Sequence, residues 1–190
     1  MAQLSSQSPG AYVGAEGGLN WLFNFTTFQS GSINGVSNPN FGQAVNVTPS
    51  TGWAVGGTIG YDFVGPRVEL ETVYRENPTN VNLPGTALAN RVGQLGVLAN
   101  LLYDFMPSAT VTPYAGAGLG IDFVDSNSSL GSTVFAYQAI AGLGWNAASN
   151  VRVNLDARYF GTSNPTVNGN SWSNNDFSVM LGVQFKFPVR

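Results

Sequence analysis

The chain has 190 residues, of which only 9% are charged, and a formal net charge of −3. An ordinary soluble domain carries roughly 25% charged residues, so this chain has too few ionic groups to cover a hydrated surface. Its weak, scattered negative balance excludes nucleic acid and anionic lipid as partners held by charge. It has neither cysteine nor histidine, which removes disulfides, Ser-His-Asp and Cys-His catalysis, and His- or Cys-ligated metal.

The length predicts one domain. No apolar run reaches the ~18 residues of a transmembrane helix. Instead, eight stretches alternate with a period of two, the signature of strands with two unlike faces. The first, Tyr12 to about Phe25, sets Val13, Ala15, Leu19, Trp21 and Phe23 against Glu16 and Asn20. The second, Trp53 to Phe63, sets Val55, Ile59 and Tyr61 against Thr58 and Asp62. The third, Arg67 to Arg75, sets Val68, Leu70 and Tyr74 against Arg67, Glu69, Glu71 and Arg75. The fourth, Val92 to Phe105, sets Leu95, Val97, Leu101 and Tyr103 against Gln94, Asn100 and Asp104.

The fifth, Thr112 to Phe123, sets Ala115, Ala117, Leu119 and Ile121 against Tyr114, three glycines and Asp122. The sixth, Val134 to Asn146, sets Phe135, Tyr137, Leu143 and Trp145 against Gln138 and Asn146. The seventh, Val151 to Phe160, sets Val153, Leu155 and Tyr159 against Arg152, Asn154, Asp156 and Arg158. The eighth, Asp176 to Phe187, sets Phe177, Val179, Leu181, Val183 and Phe185 against Gln184 and Lys186.

These lengths suit tilted strands crossing a bilayer, and an even number closes an antiparallel ring without a free edge. Long connections near 26–52, 76–91, 124–133 and 161–175 alternate with short ones at Val64-Gly65-Pro66, Met106-Pro107-Ser108 and 147–150. The expected fold is therefore all-β: an eight-stranded antiparallel up-and-down transmembrane β-barrel over 12–187. A segment 1–11 leads in and a tail 188–190 follows. Short turns belong to the periplasmic end of such barrels, which places both termini there and the four long loops outside. Tyr61, Phe63, Tyr103, Phe105, Trp145, Phe185 and Phe187 predict an aromatic girdle at the periplasmic interface. Trp21, Phe23, Trp53, Tyr74, Phe123, Phe135, Tyr159 and Phe177 predict the opposite ring.

Alternation alone also fits a soluble lipocalin-like barrel turned the other way round. The charged phase argues against it: it is mostly Gly, Asn and single charges, a poor solvent face but a good filling for a narrow lumen. Gly10-Ala11-Tyr12-Val13-Gly14-Ala15, Gly60-Tyr61-Asp62-Phe63 and Val111-Thr112-Pro113-Tyr114-Ala115-Gly116-Ala117-Gly118-Leu119-Gly120 resemble the bacterial outer-membrane protein β-barrel domain family, in its eight-stranded OmpA/OmpX-like, porin and surface-antigen group. The resemblance spans nearly the whole chain and implies the outer membrane of a cell envelope. Such barrels usually finish on an aromatic, whereas here Pro188-Val189-Arg190 follow Phe187. The start, Met1-Ala2-Gln3-Leu4, lacks the basic and apolar regions of an export leader and reads as a mature product.

Thirteen charges fall on the inward phase, five basic and eight acidic. They predict a lumen plugged by an ion-pair network of Glu16, Arg67, Glu69, Glu71, Arg75, Arg152, Asp156, Arg158 and Lys186. The alternative is a porin-like, mildly cation-preferring path for ions or small solutes. Glu69 and Glu71 share a face at a spacing that catalytic carboxylates use, but flanking arginines and the lack of a cleft argue against an enzyme. No catalytic residue, cofactor or metal is expected; Asp122 and Asp125 are only a faint Ca²⁺ signal. Ala99, Ala115, Ala117, Ala139 and Ala141 make a smooth apolar face that predicts contact with a second copy, giving a homo-oligomer. The expected role is structural and surface-interacting, with outer-membrane lipid as partner and no loop motif that names a surface ligand.

Overall fold

Hydrocarbon offers no hydrogen bonds, so a chain crossing it as strands must pair every strand on both sides. The computed structural model describes residues 8–28, 32–33, 36–37, 44–83, 86–126, 129–164, 166–167, 170–171 and 174–187. Eight long strands are β1 (Gly10–Leu22), β2 (Gly52–Asp62), β3 (Pro66–Leu83), β4 (Thr86–Asp104), β5 (Val111–Ser126), β6 (Ser129–Asn146), β7 (Val151–Thr162) and β8 (Asn175–Lys186). Each is antiparallel to the next in chain order, and β1 pairs with β8 from Tyr12↔Lys186 to Leu22↔Asp176, which closes the barrel. The leading residues 1–7, the tail 188–190 and parts of the outer loops lie outside the described residues.

Two segments expected as loops are strand instead. β3 and β4 remain paired from Glu76↔Gly93 to Leu83↔Thr86, and β5 and β6 continue to Ser126↔Ser129. Alternation exists where one face meets hydrocarbon and the other the lumen. Past the membrane both faces meet water, so the sequence pattern fades while the backbone ladder runs on. Part of the first long connection joins this extension: Phe25–Phe28 pairs with Ala44–Pro49, which pairs with β3 at Thr48↔Asn80 and Pro49↔Thr79. The long-loop end thus carries a flared sheet.

The apolar phase faces outward. Leu101 is 63% exposed and Ile59 57%, while Arg67, Glu71, Arg75 and Asp176 are buried. A lipocalin-like barrel would show the reverse. Aromatic rings pair along the outer wall at both ends, as in Tyr61–Phe63 and Trp53–Tyr74, with centroids 4.7 and 5.4 Å apart.

The β2–β3 turn carries strain. Val64 has φ 68° and Gly65 φ 121°, the two positive values a two-residue hairpin turn needs. Phe63 N donates to Pro66 O at 2.9 Å, and Val64 N donates to Asp62 Oδ1 at 2.7 Å. Glycine accepts such a φ freely, whereas a β-branched residue is forced into it. Val64→Asn should therefore raise unfolding free energy by about 1 kcal/mol, read as a higher urea midpoint in lipid vesicles; an unchanged or lower midpoint would remove the strain argument.

Candidate functional site in the lumen

The thirteen inward charges form three groups stacked along the barrel axis. At the short-turn end, Asp104 binds Arg152 through bonds of 2.6 and 3.0 Å and lies 3.3 Å from Arg67 Nη2. Glu69 Oε1 accepts from the Tyr12 hydroxyl, Arg67 and Gln184. Lys186 Nζ donates to Asp62 at 2.7 Å. Three cations balance three carboxylates in this group.

Arg158 is the hub of the middle group. It contacts Glu16 at 2.6 Å, Glu71 at 2.7 Å and Asp156 at 2.6 Å. Asn100 and Gln138 both donate to Glu71 Oε2 at 2.7 Å, and the Tyr114 hydroxyl donates to Asp156 at 2.7 Å. One cation faces three carboxylates, so this layer holds most of the chain's negative excess.

The third group, toward the long-loop end, is Arg75 with Asp176 and Asp122. Arg75 Nε lies 3.7 Å from Asp176, and its guanidinium lies flat over the Phe160 ring at 4.0 Å. Gln94 donates to Asp176, and Asn174 to Gln94. Neither Asp122 oxygen has a hydrogen-bonding protein partner. Beside them Asn20, Asn77 and Ser178 form a neutral hydrogen-bonded set.

A plug made wholly of ion pairs and polar groups is not what fills the lumen. Ala54, Val73, Leu98, Ala136, Phe160 and Met180 form a buried apolar cluster between the middle and third groups. They come from six of the eight strands. On the other two, Gly18 and Gly120 make room: a Cβ on either would lie 2.8 Å from Met180 Sδ or Leu98 Cα. The result is an apolar layer inside the bore, called the septum below. A second apolar cluster of Leu22, Val92, Val124 and Val134, with Phe25 against it, lies at the long-loop mouth.

Residues expected to act together take different ion-pair partners. Arg75 shares a strand face with Glu69 and Glu71, yet its ion-pair contact is Asp176, with Val73 between it and Glu71 on the strand. Arg152 and Arg158 share another face, yet Arg152 serves the short-turn group and Arg158 the middle one. Val73, Leu98, Leu102, Ile140, Phe160 and Met180 occupy the inward phase of their strands; that was the available signal, and it was missed because the charges on the same phase dominated the reading. Tyr12 and Tyr114 are further lumen donors whose roles emerge only across the barrel. Asp122 and Asp125 do not converge: an odd spacing sends them to opposite faces, one buried and one exposed.

The chain matches the outer membrane protein beta-barrel domain family over residues 1–185. It belongs to that family. A curated relative, outer membrane protein PagN of Salmonella typhimurium, is 25% identical over 178 residues, covering 70% of this chain and 72% of PagN. Among solved structures, Neisserial surface protein A matches with a TM-score of 0.58 and 19% identity, covering 95% of this chain and 99% of its own. OprG of Pseudomonas aeruginosa matches with a TM-score of 0.61 and 16% identity, covering 95% and 97%. These likenesses show the fold, and the family places the chain in the outer membrane.

In this outer-membrane barrel, Tyr61, Phe63, Tyr103, Phe105, Trp145, Phe185 and Phe187 are all exposed on the outer wall near the short-turn end. The alanine face is more compact than its spacing suggested. Ala117 lies opposite Ala139, and Ala115 opposite Ala141. Ala157 joins through Ala141, while Ala99 sits at a corner beside Leu119. Removing the hub of the middle group would leave three buried carboxylates without their cation. Arg158→Met should lower unfolding free energy by about 3–5 kcal/mol, measured by urea titration in vesicles; a loss below about 1 kcal/mol would mean the three carboxylates do not depend on it.

Proposed function

We propose that this outer-membrane barrel is a non-conducting structural protein that presents an extended extracellular sheet for interaction. The septum carries this reading, since apolar side chains from six strands gather in one buried cluster inside the bore. A dry constriction of that kind opposes the passage of hydrated ions. The β3–β4 extension and the strands flanking it support the display role, because they continue pairing beyond the outer aromatic ring. A catalytic role draws no support from Glu69 and Glu71, each already engaged by three donors.

In a planar bilayer the unmodified protein should give no steady current, and Phe160→Ala with Leu98→Ala should introduce one by thinning the septum. A steady, salt-dependent conductance from the unmodified protein would replace this reading with the porin-like one.

Self-association completes the proposal. Ala115, Ala117, Ala139, Ala141 and Ala157 form a shallow apolar depression rimmed by larger groups such as Tyr137, Leu143 and Leu155. Small residues let two membrane surfaces approach closely. Native mass spectrometry in mild detergent should show a dimer or higher species that Ala117→Phe disperses while the barrel stays folded; monomers alone from the unmodified protein would end the idea.

A further inference from the structure

On the periplasmic side of the septum lie two cavities. The outer, about 40 Å³, opens at the mouth beside Asp62, Ser149, Asn150, Arg152 and Lys186. The inner, about 10 Å³, lies among Glu16, Tyr114, Asn154 and Arg158. Arg67 and Gln184 line both, so the two are successive chambers of one blind well. One water needs roughly 10–15 Å³ by this measure. The inner chamber therefore fits at most one water, whereas the outer has room for a small ligand.

The outer chamber is rich in donors. Arg67 and Arg152 share the single carboxylate of Asp104, and both guanidiniums lie against the Tyr114 ring, 4.8 and 5.2 Å from its centroid. Gly144 makes space for this arrangement, because a Cβ there would overlap the Arg152 guanidinium. Arg67 is only 2% exposed, and among the described residues its Nε has no hydrogen-bonding partner. Among the described residues Lys186 bonds only Asp62, which leaves two of its three N–H groups at the rim. The lining carboxylates Asp62 and Asp104 are already bonded, and Glu69 behind them engages Arg67 Nη1, so the group is neutral as a whole while donors remain open.

We propose that this chamber is a binding site for a small oxyanion, a carboxylate or phosphate, entering from the periplasm. Arg67 Nε forms its floor and Lys186 its rim. A cation would meet N–H donors there, with both lining carboxylates already engaged. The site stands independently of conduction, display and self-association, because it needs only the periplasmic half of the lumen.

The test uses the ¹⁵N-labelled full chain in detergent micelles at constant ionic strength, titrated with sodium phosphate, sodium acetate and acetyl-Ala-Ala, with the acetyl-Ala-Ala amide as control. The readout is the Arg67 Nε–Hε resonance with the backbone amides of Ser149 and Asn150. Saturable shifts are expected, with no effect of the amide. Saturation by acetyl-Ala-Ala assigns a chain-end carboxylate as ligand, and saturation by phosphate or acetate alone assigns a free anion.

Lys186→Gln should weaken binding up to about fivefold, and Arg67→Gln should abolish it. Heat-modifiable mobility on SDS gels reports whether each variant is folded, and Lys186→Gln at the rim decides the matter if Arg67→Gln is not. Shifts that rise linearly with every probe would overturn the proposal. So would saturation that the amide reproduces or that Lys186→Gln leaves unchanged.

Discussion

Desolvation on both faces of a single sheet governs this molecule. The outer face meets acyl chains, and the inner face meets a bore too narrow to stay full of water. Backbone groups answer the first demand by closing the ring, with β1 and β8 paired from Tyr12↔Lys186 to Leu22↔Asp176. Side chains answer the second by pairing across the lumen. A charge inside an eight-stranded barrel is as far from bulk solvent as one in a soluble core, and it persists only with partners. This is why Arg158 gathers three carboxylates and why Asn, Gln and Tyr are spent as donors to Glu71, Asp156 and Glu69.

The charges are layered and unevenly balanced. The short-turn group is neutral within itself, while the negative excess lies in the middle group and around Arg75. Apolar side chains separate these layers, so the lumen behaves as compartments and not as one continuous polar core. Arg75 belongs to both worlds, since its guanidinium is drawn to Asp176 and also rests on the Phe160 ring of the septum. The glycines follow the same logic. Gly18 and Gly120 admit the septum, and Gly118 and Gly144 leave room for the Asn100 amide and the Arg152 guanidinium.

The resemblance to PagN, Neisserial surface protein A and OprG concerns the barrel, which many outer-membrane proteins share while differing in role. Beyond the shared barrel, this chain's own features are its lumen filling and the long paired ribbons at the long-loop end. The first decides whether anything passes through it. The second decides what it can offer to the outside.

Fold class, strand number and the outward direction of the greasy face were legible along the chain, because a period of two in a low-charge sequence admits few architectures. The inward set was legible too, since phase alone assigns Arg67, Glu71, Arg152 and Arg158 to one side. Their partners were not. Neighbours on one strand face, such as Glu71 and Arg75, end in different layers, while Arg158 and Glu16, far apart in sequence, meet at 2.6 Å. The ladder beyond the membrane was hidden because water on both faces erases alternation without breaking backbone pairing. Phase is a local property and is written residue by residue; which side chains meet across the bore depends on how far each strand is staggered against the next, and only the closed barrel sets that.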